Sequence, residues 1–332
     1  MRVYTDSVLR ALVIASGVLA LLAMPSLASA QRFRFERTIQ VSEPVKLDVA
    51  TVRGKIEVRA GAPGRVVVEG EATVRVGFNV PANAVELARQ VAAAPPIEQS
   101  GNEIRLRIPL DDATERAVTI AFRVQVPPGT EVDTTSESGE TTIEGIAGAV
   151  SVRTQSSAIT VRRLAGTAQV STGSGAVVVD DVRGDLAVTT SSSSFRGTGL
   201  GGALRLRTQS GDVQAAFTGS GDVEVLTGSS AIQLSGLRGA LTARTESGRV
   251  TIQGAPGGDW SVTTGSSAID FTLEPERGLA LDAASRGGEV VLEGMQVDGS
   301  ITKRAVDGNF RGGGPRVRLD TRSGTIRVRS RH

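Results

Sequence analysis

The sequence predicts an all-β protein that folds as a parallel β-solenoid, and three observations support this prediction. A turn motif, Thr-x-Ser followed by Gly or Ser, recurs every 18 or 19 residues from position 154 to position 267. Such a fixed period is typical of a solenoid, because each repeat forms one unit of a stack. The segments between the motifs alternate apolar with polar residues, as strands with one buried face do. Aromatic residues make up only 3% of the chain and glycines number 40, which favours tight turns over helix bundles.

Residues 1–30 have the anatomy of a secretory signal peptide. Basic residues precede an apolar run over residues 11–24, and Ala28 and Ala30 provide small side chains before a cleavage position at Gln31. The run is shorter than the roughly 20 residues that span a bilayer. We therefore expect a protein that does not span the membrane after cleavage and that is periplasmic, extracellular or held at the cell surface. The chain has no Cys, so disulfides cannot stabilise it there.

Residues 31–131 are expected to form a β-rich N-terminal cap that is continuous with a repeat array over residues 132–332, as one domain. Apolar residues from Val85 to Val91 fall at helical spacing between prolines. This pattern predicts one short helix near 82–94, inserted among the strands.

The repeat array should bury one face of each strand. In a typical repeat, Val150, Val152, Ile159 and Val161 alternate with polar residues and form the buried face. The Thr of each turn motif is in phase with these residues, so its hydroxyl should point inward and bond to a neighbouring turn. This phase argues against an ice-binding surface of outward Thr side chains. The structural turn columns are Thr154, Thr172, Thr190, Thr208, Thr227, Thr245 and Thr264, with Gly139, Gly175, Gly211, Gly248 and Gly324.

The size of one coil stays open at this point. The last position of the motif alternates between Gly and Ser, as in Ser157, Gly175 and Ser193. Either each coil is one 18-residue repeat with unlike neighbours, or a 36-residue pair of repeats forms one coil. About ten or eleven repeats spaced by ~4.8 Å would form a rod about 50 Å long.

These repeats resemble the DUF4097 family, whose members are provisionally described as bacterial adhesins. The turn over residues 52–58 (Val-Arg-Gly-Lys-Ile-Glu-Val) and the strand over residues 124–127 (Val-Gln-Val-Pro) resemble the same family. The resemblance covers the chain from about Arg32 to Val328. It implies a secreted or surface-facing β-solenoid, and it provides no catalytic residues to carry over.

The composition leaves few routes to catalysis or metal binding. His332 is the only His and there is no Cys, so hydrolase triads and typical zinc sites lack their residues. Neighbouring residues on a strand point to opposite faces, so the pairs Asp111–Asp112 and Asp180–Asp181 do not form calcium sites by themselves. We expect no catalytic residue, metal or cofactor. Asp180–Asp181 with Arg183 is the one local group that resembles the carboxylate and arginine sites of polysaccharide lyases and hydrolases on parallel β-helices.

The C-terminal repeat is strongly basic. Arg316, Arg318, Arg327 and Arg329 alternate with apolar residues and should project outward on the last coil, where Arg311, Arg322 and Arg331 add charge. One interpretation is contact with an anionic partner such as a surface polysaccharide. The other is protection of an exposed final edge, where charge discourages pairing between molecules.

The sequence therefore predicts an exported, non-enzymatic protein of the cell envelope that binds in the manner of an adhesin, through side chains repeated on every coil. The partner is an envelope or surface component that the sequence does not identify. With 37 basic and 35 acidic residues, the chain gives no reason to expect nucleic-acid binding. The alternatives are a polysaccharide-active enzyme and a structural envelope protein that self-assembles through the solenoid ends.

Overall fold

The computed structural model describes residues 31–107, 111–274 and 278–330. The predicted signal peptide, Arg331 and His332 lie outside the described residues. Two long sheets enclose one continuous core that consists mainly of Val, Ile and Leu side chains. The all-β solenoid class predicted from the repeats is confirmed. In the described part of the chain, no helix is long and apolar enough to cross a membrane.

Short strands account for most of the described residues. They are β1 Arg32–Gln40, β2 Lys46–Thr51, β3 Ile56–Ala60, β4 Arg65–Val74, β5 Ile97–Ser100, β6 Glu103–Arg107, β7 Val118–Val126, β8 Glu131–Ser136, β9 Thr141–Glu144, β10 Val150–Thr154, β11 Ile159–Leu164, β12 Ala168–Ser174, β13 Val177–Val182, β14 Leu186–Ser192, β15 Phe195–Leu200, β16 Leu204–Ser210, β17 Val213–Phe217, β18 Val223–Thr227, β19 Ile232–Leu237, β20 Leu241–Thr245, β21 Val250–Gly254, β22 Trp260–Thr264, β23 Ile269–Leu273, β24 Leu279–Ser285, β25 Val290–Glu293, β26 Val297–Ile301, β27 Ala305–Phe310, β28 Arg316–Thr321 and β29 Ile326–Ser330. The helices are α1 Ala84–Ala93 and α2 Asp112–Ala117.

Each coil of the regular array is one repeat of 18 or 19 residues, which excludes the 36-residue alternative. Strand β10 pairs in parallel with β12, so that Val150 lies opposite Ala168. Strand β11 pairs with β13, so that Ile159 lies opposite Val177. Each repeat thus contributes one strand to each sheet, and equivalent positions of successive repeats become direct neighbours.

The stacking order departs from the sequence order at both ends of the rod. Strands β28 and β29 lie between β22–β23 and β24–β25, so the last coil of the sequence fills a space next to the end. At the other end, β2 and β3 lie between β6–β7 and β8–β9. Twelve parallel strands stack in each sheet. At ~4.8 Å per strand, the stack is about 50 Å long.

Antiparallel strands and a helix cover the ends of this stack. Strands β1 and β4 extend one sheet beyond β7, and β5 extends the other beyond β6. At the opposite end, β26 and β27 form an antiparallel pair beside β24. Helix α1 lies within the predicted range 82–94 and packs on β1 and β4. The second helix, α2, was not predicted.

Candidate functional site

The Thr residues of the turn motif lie inside the coils. All seven predicted Thr side chains, from Thr154 to Thr264, are buried. The Thr245 hydroxyl accepts a hydrogen bond from the Gly248 backbone N–H at 3.1 Å and lies 3.3 Å from the Gly228 carbonyl oxygen, to which it can donate. Thr154 and Thr264 also donate to a carbonyl of the neighbouring turn, whereas Thr172 and Thr208 donate within their own turn. Only part of the column therefore links consecutive turns, and the buried hydroxyls form no outward surface.

The glycines of the motif are required for two different reasons. A Cβ on Gly139, Gly248 or Gly324 would lie 1.5–1.8 Å from a carbonyl oxygen of the adjacent coil. At Gly175 and Gly211 the backbone is in the left-handed region, with φ of 122° and 113°. Glycine permits both arrangements because it has no side chain to clash.

Outward side chains form straight columns along both sheets. On one sheet, Arg196, Gln214, Gln233 and Thr251 are neighbours in four successive coils. The first three of them line a shallow groove of about 330 Å³, which the small side chain of Ala216 also lines. Within these four coils the column presents mainly uncharged hydrogen-bonding groups, whereas Val178 precedes it and Asp270 follows it on the same face.

The predicted basic set does not form one surface. Arg316 and Arg318 lie on β28 in one sheet, whereas Arg327 and Arg329 lie on β29 in the other. The prediction that they occupy the last coil is wrong, because β24 and β25 stack beyond them. The same arrangement removes the interpretation that these arginines protect a final edge.

Three of the four arginines in this set face carboxylates. The guanidinium group of Arg329 lies 2.8 Å from the Glu293 carboxylate. The corresponding distances are 3.6 Å for Arg327 to Asp270 and 3.9 Å for Arg318 to Asp282. These contacts neutralise much of the positive charge that was predicted for this region from the sequence.

The acidic groups considered for catalysis or calcium binding are spread apart. The Asp180 carboxylate accepts a hydrogen bond from the Thr198 hydroxyl at 2.5 Å, while Asp181 adopts left-handed backbone with φ of 53°. Asp111 is the N-cap of α2, and its carboxylate accepts a hydrogen bond from the Thr114 N–H at 2.8 Å. This bonding lowers the pKa of Asp111. Within the described ranges, no three acidic, His or Cys side chains form a metal-binding group.

A family comparison identifies the repeat array. The profile described as Toastrack DUF4097 matches residues 96–329, which is more than half of the chain. The chain belongs to this family. The match confirms the resemblance inferred from the turn motifs for the part of this Toastrack protein that runs from β5 to β29. Residues 32–95, which the resemblance also covered, lie outside the matched range.

Two solved structures are similar to this Toastrack chain at low identity. One, from Clostridium sporogenes, is described provisionally as a cell adhesion protein; it is 12% identical over 90% of this chain and 100% of its own, with a TM-score of 0.19. The other, from Bacteroides fragilis, is described provisionally as an adhesin; it is 13% identical over 90% of this chain and 97% of its own, with a TM-score of 0.27. Similarity at this level does not extend either description to the present chain. No curated protein matches it.

The Toastrack array also contains a groove that joins Arg322, from the predicted basic set, with Arg244 and Arg286, a grouping that the sequence patterns did not predict. Arg244, Arg286 and Arg322 line this groove of about 520 Å³ along the turn edge, together with Glu246 and Asp320. We call it the basic groove. The one available signal was that two of the arginines occupy the variable second position of the turn motif, directly after a buried Ser or Thr.

Proposed function

We propose that this Toastrack protein is an exported, non-enzymatic protein of the cell envelope that binds a repeating surface component in the manner of an adhesin. The observation that carries the proposal is the register of the coils. Equivalent outward residues are direct neighbours, so each outward position recurs at ~4.8 Å along the rod, and at Gln214 and Gln233 two successive coils present the same side chain.

A repeating partner would use this arrangement through multivalency. Each exposed polar contact contributes little by itself, because it replaces a contact with water. Once one unit of a polymer is bound, the next unit is held close to an equivalent side chain, and the effective concentration for the second contact is high. Weak contacts on successive coils therefore add up to useful affinity.

The dispersion of the acidic groups favours binding over hydrolysis. Asp180 and Asp181 are exposed but differ in backbone direction, and Arg183 forms no ion pair with a described residue. A glycosidase needs two carboxylates facing each other across the bond that it cleaves. A polysaccharide-active enzyme nonetheless remains the second candidate, because a groove on the rod could hold a polysaccharide chain.

The test is a binding array of envelope polysaccharides and proteins, probed with the full chain purified after expression with its own leader. Bound glycans are then examined by mass spectrometry for shortening. Binding without shortening is the expected result; shortened products would overturn the non-enzymatic role, and the absence of any binding would overturn recognition. N-terminal sequencing of the exported protein should begin at Gln31, and a cytoplasmic, uncleaved product would overturn export.

The face that binds can be determined with two matched double variants. Gln214→Glu with Gln233→Glu adds two charges to one sheet, and Gln169→Glu with Ala187→Glu adds the same charge to the other. In each variant the two positions are direct neighbours on an outward column, and one of them lies beside an arginine, Arg196 or Arg205. Loss of binding in one variant alone would locate the contact; equal binding by both would exclude the sheet faces.

A further inference from the structure

Three arginines converge on the basic groove without a partner in the described part of the chain. Arg322 and Arg286 follow the paired residues Thr321 and Ser285 in adjacent coils, and the Arg286 N–H donates to the Thr321 carbonyl at 3.1 Å. Arg244 projects from β20 on the same edge. All three side chains are exposed, and none forms an ion pair or hydrogen bond with a described residue.

Some arginines elsewhere in the array are paired with acidic residues, and others stand singly; the basic groove differs because three unpaired arginines line one cavity. Arg153 contacts Asp133 at 3.0 Å, and Arg207 contacts Glu224 at 3.1 Å. In the basic groove, by contrast, Glu246 and Asp320 line the same cavity without an ion pair within the described ranges. The guanidinium groups there are therefore available to a ligand.

Further positive charge lies beside the groove. Lys303 and Arg304 form the tip of the β26–β27 hairpin, and the Arg304 carbonyl accepts a hydrogen bond from the Ser285 N–H at 2.8 Å. Neither side chain forms an ion pair with a described residue. The groove lining itself has three arginines against two carboxylates, and Lys303 and Arg304 add two positive charges near it, where Glu289 adds one negative charge.

We propose that the basic groove binds the carboxylates of an unbranched acidic polysaccharide. A guanidinium group can donate two parallel hydrogen bonds to one carboxylate. Hydroxyls of the turn edge, including Ser247 and Thr263, line the same groove and can bond to sugar hydroxyls. The proposal rests on the binding role proposed above, and it specifies the ligand class and the position of the site.

The shape of the surface favours a linear ligand. A second groove of about 490 Å³ shares Arg244 and Glu246 with the basic groove and continues along the turn edge as far as Thr189. Together they run from the coil of β14 to that of β24, which is seven coils or about 30 Å at ~4.8 Å per coil. Arg207, in the second groove, is already paired with Glu224, so the free charge is concentrated at one end.

The lining of the two grooves favours a glycan over a single-stranded nucleic acid. Proteins that hold single strands stack the bases on aromatic side chains. Neither groove is lined by an aromatic residue. Most of the lining residues carry hydroxyl, amide or guanidinium groups instead, which match the donors and acceptors of a carboxylated sugar chain.

The test measures binding of the full chain to polygalacturonate, with dextran as the uncharged comparison polymer. The triple variant Arg244→Gln, Arg286→Gln, Arg322→Gln should weaken polygalacturonate binding about tenfold or more, since three exposed ion pairs are lost. A control variant changes Arg162, Arg183 and Arg238, which are also exposed and without a described ion-pair partner, to Gln. It removes the same charge from other surfaces and should retain binding.

Higher salt should weaken the wild-type interaction and have little effect on residual binding by the triple variant, because exposed charges are screened. Equal affinity of the triple and control variants, or no binding of polygalacturonate by the wild type, would overturn the proposal. Binding of single-stranded DNA or of anionic phosphatidylserine vesicles in place of polygalacturonate would overturn the ligand class. Binding only to neutral glycans would overturn this proposal and leave the adhesin-like function standing.

Discussion

Replacement of Gly248 by Ala should force two neighbouring coils apart at the turn edge. The added Cβ would lie 1.5 Å from the Ser230 carbonyl oxygen, and real Cβ contacts of this kind do not fall below 3.0 Å. The turn must therefore shift by about 1.5 Å, which is a third of the ~4.8 Å spacing between strands. A rigid backbone carbonyl cannot rotate away as a side chain could.

The loss in free energy of unfolding can be derived from the contacts at this turn. The Gly248 N–H donates to the buried Thr245 hydroxyl at 3.1 Å, and the shift breaks that bond. Loss of one buried hydrogen bond costs about 1 kcal/mol, and overpacking adds about 1–3 kcal/mol. We expect the free energy of unfolding to fall by about 2–4 kcal/mol.

Urea denaturation followed by circular dichroism measures this change, with Gly129→Ala as the matched control. At Gly129 the nearest atom to an added Cβ is a Glu43 carboxylate oxygen 3.8 Å away, so alanine fits there. Its effect should be within about 1 kcal/mol and can be stabilising, because alanine restricts the unfolded chain. Repeat arrays can unfold in parts, so the transition slopes must agree before the midpoints are compared. Equal midpoints for the two variants would refute the reasoning.

Three further predictions concern individual hydrogen bonds. Thr245→Val should lower the free energy of unfolding by about 1–3 kcal/mol. Thr227→Val is the control, because that buried hydroxyl has no described partner, and it should have a much smaller effect in the same urea assay. Equal losses for the two variants would contradict this prediction. Trp260→Phe removes the indole N–H that donates to the Gly239 carbonyl at 2.8 Å, and it should cost about 1–3 kcal/mol; an unchanged urea midpoint would contradict it. Hydrogen bonds lower the pKa of Asp111, so the ionised carboxylate should stabilise α2 at neutral pH. This stabilisation should be lost as the pH falls through the lowered pKa. Hydrogen-exchange protection of α2 that does not vary with pH would contradict this prediction.

The sequence was sufficient to predict the coil interior but not the order of the coils. Period and phase together predict that Val150 and Thr154 are buried, and both are. The same pattern recurs in every coil, so it does not specify which coils are neighbours. The 36-residue gap between Gly288 and Gly324 was visible, but it contains the antiparallel β26–β27 pair, whose pairing depends on contacts distant in sequence.

The basic groove could not be predicted for the same reason. Arg286 and Arg322 are 36 residues apart, and they become neighbours only because the final coil fills the space beside β24. The ion pairs of Arg327 and Arg329 likewise depend on which strands flank β29. Helix α2 was missed because it has only six residues, too few for a helical period to be evident.

Because the coils that stack out of sequence order lie only at the ends, the number of central coils can change without a change in the structure of the ends. Each end is built from its own segments, β1–β9 at one and β24–β29 at the other, whereas the coils between them contact only their immediate neighbours. Duplication of an 18-residue unit between β10 and β19 would insert a coil without altering either terminus or the basic groove. Related chains can therefore differ in the length of the rod, through the number of central units, while they keep the same side chains at its ends.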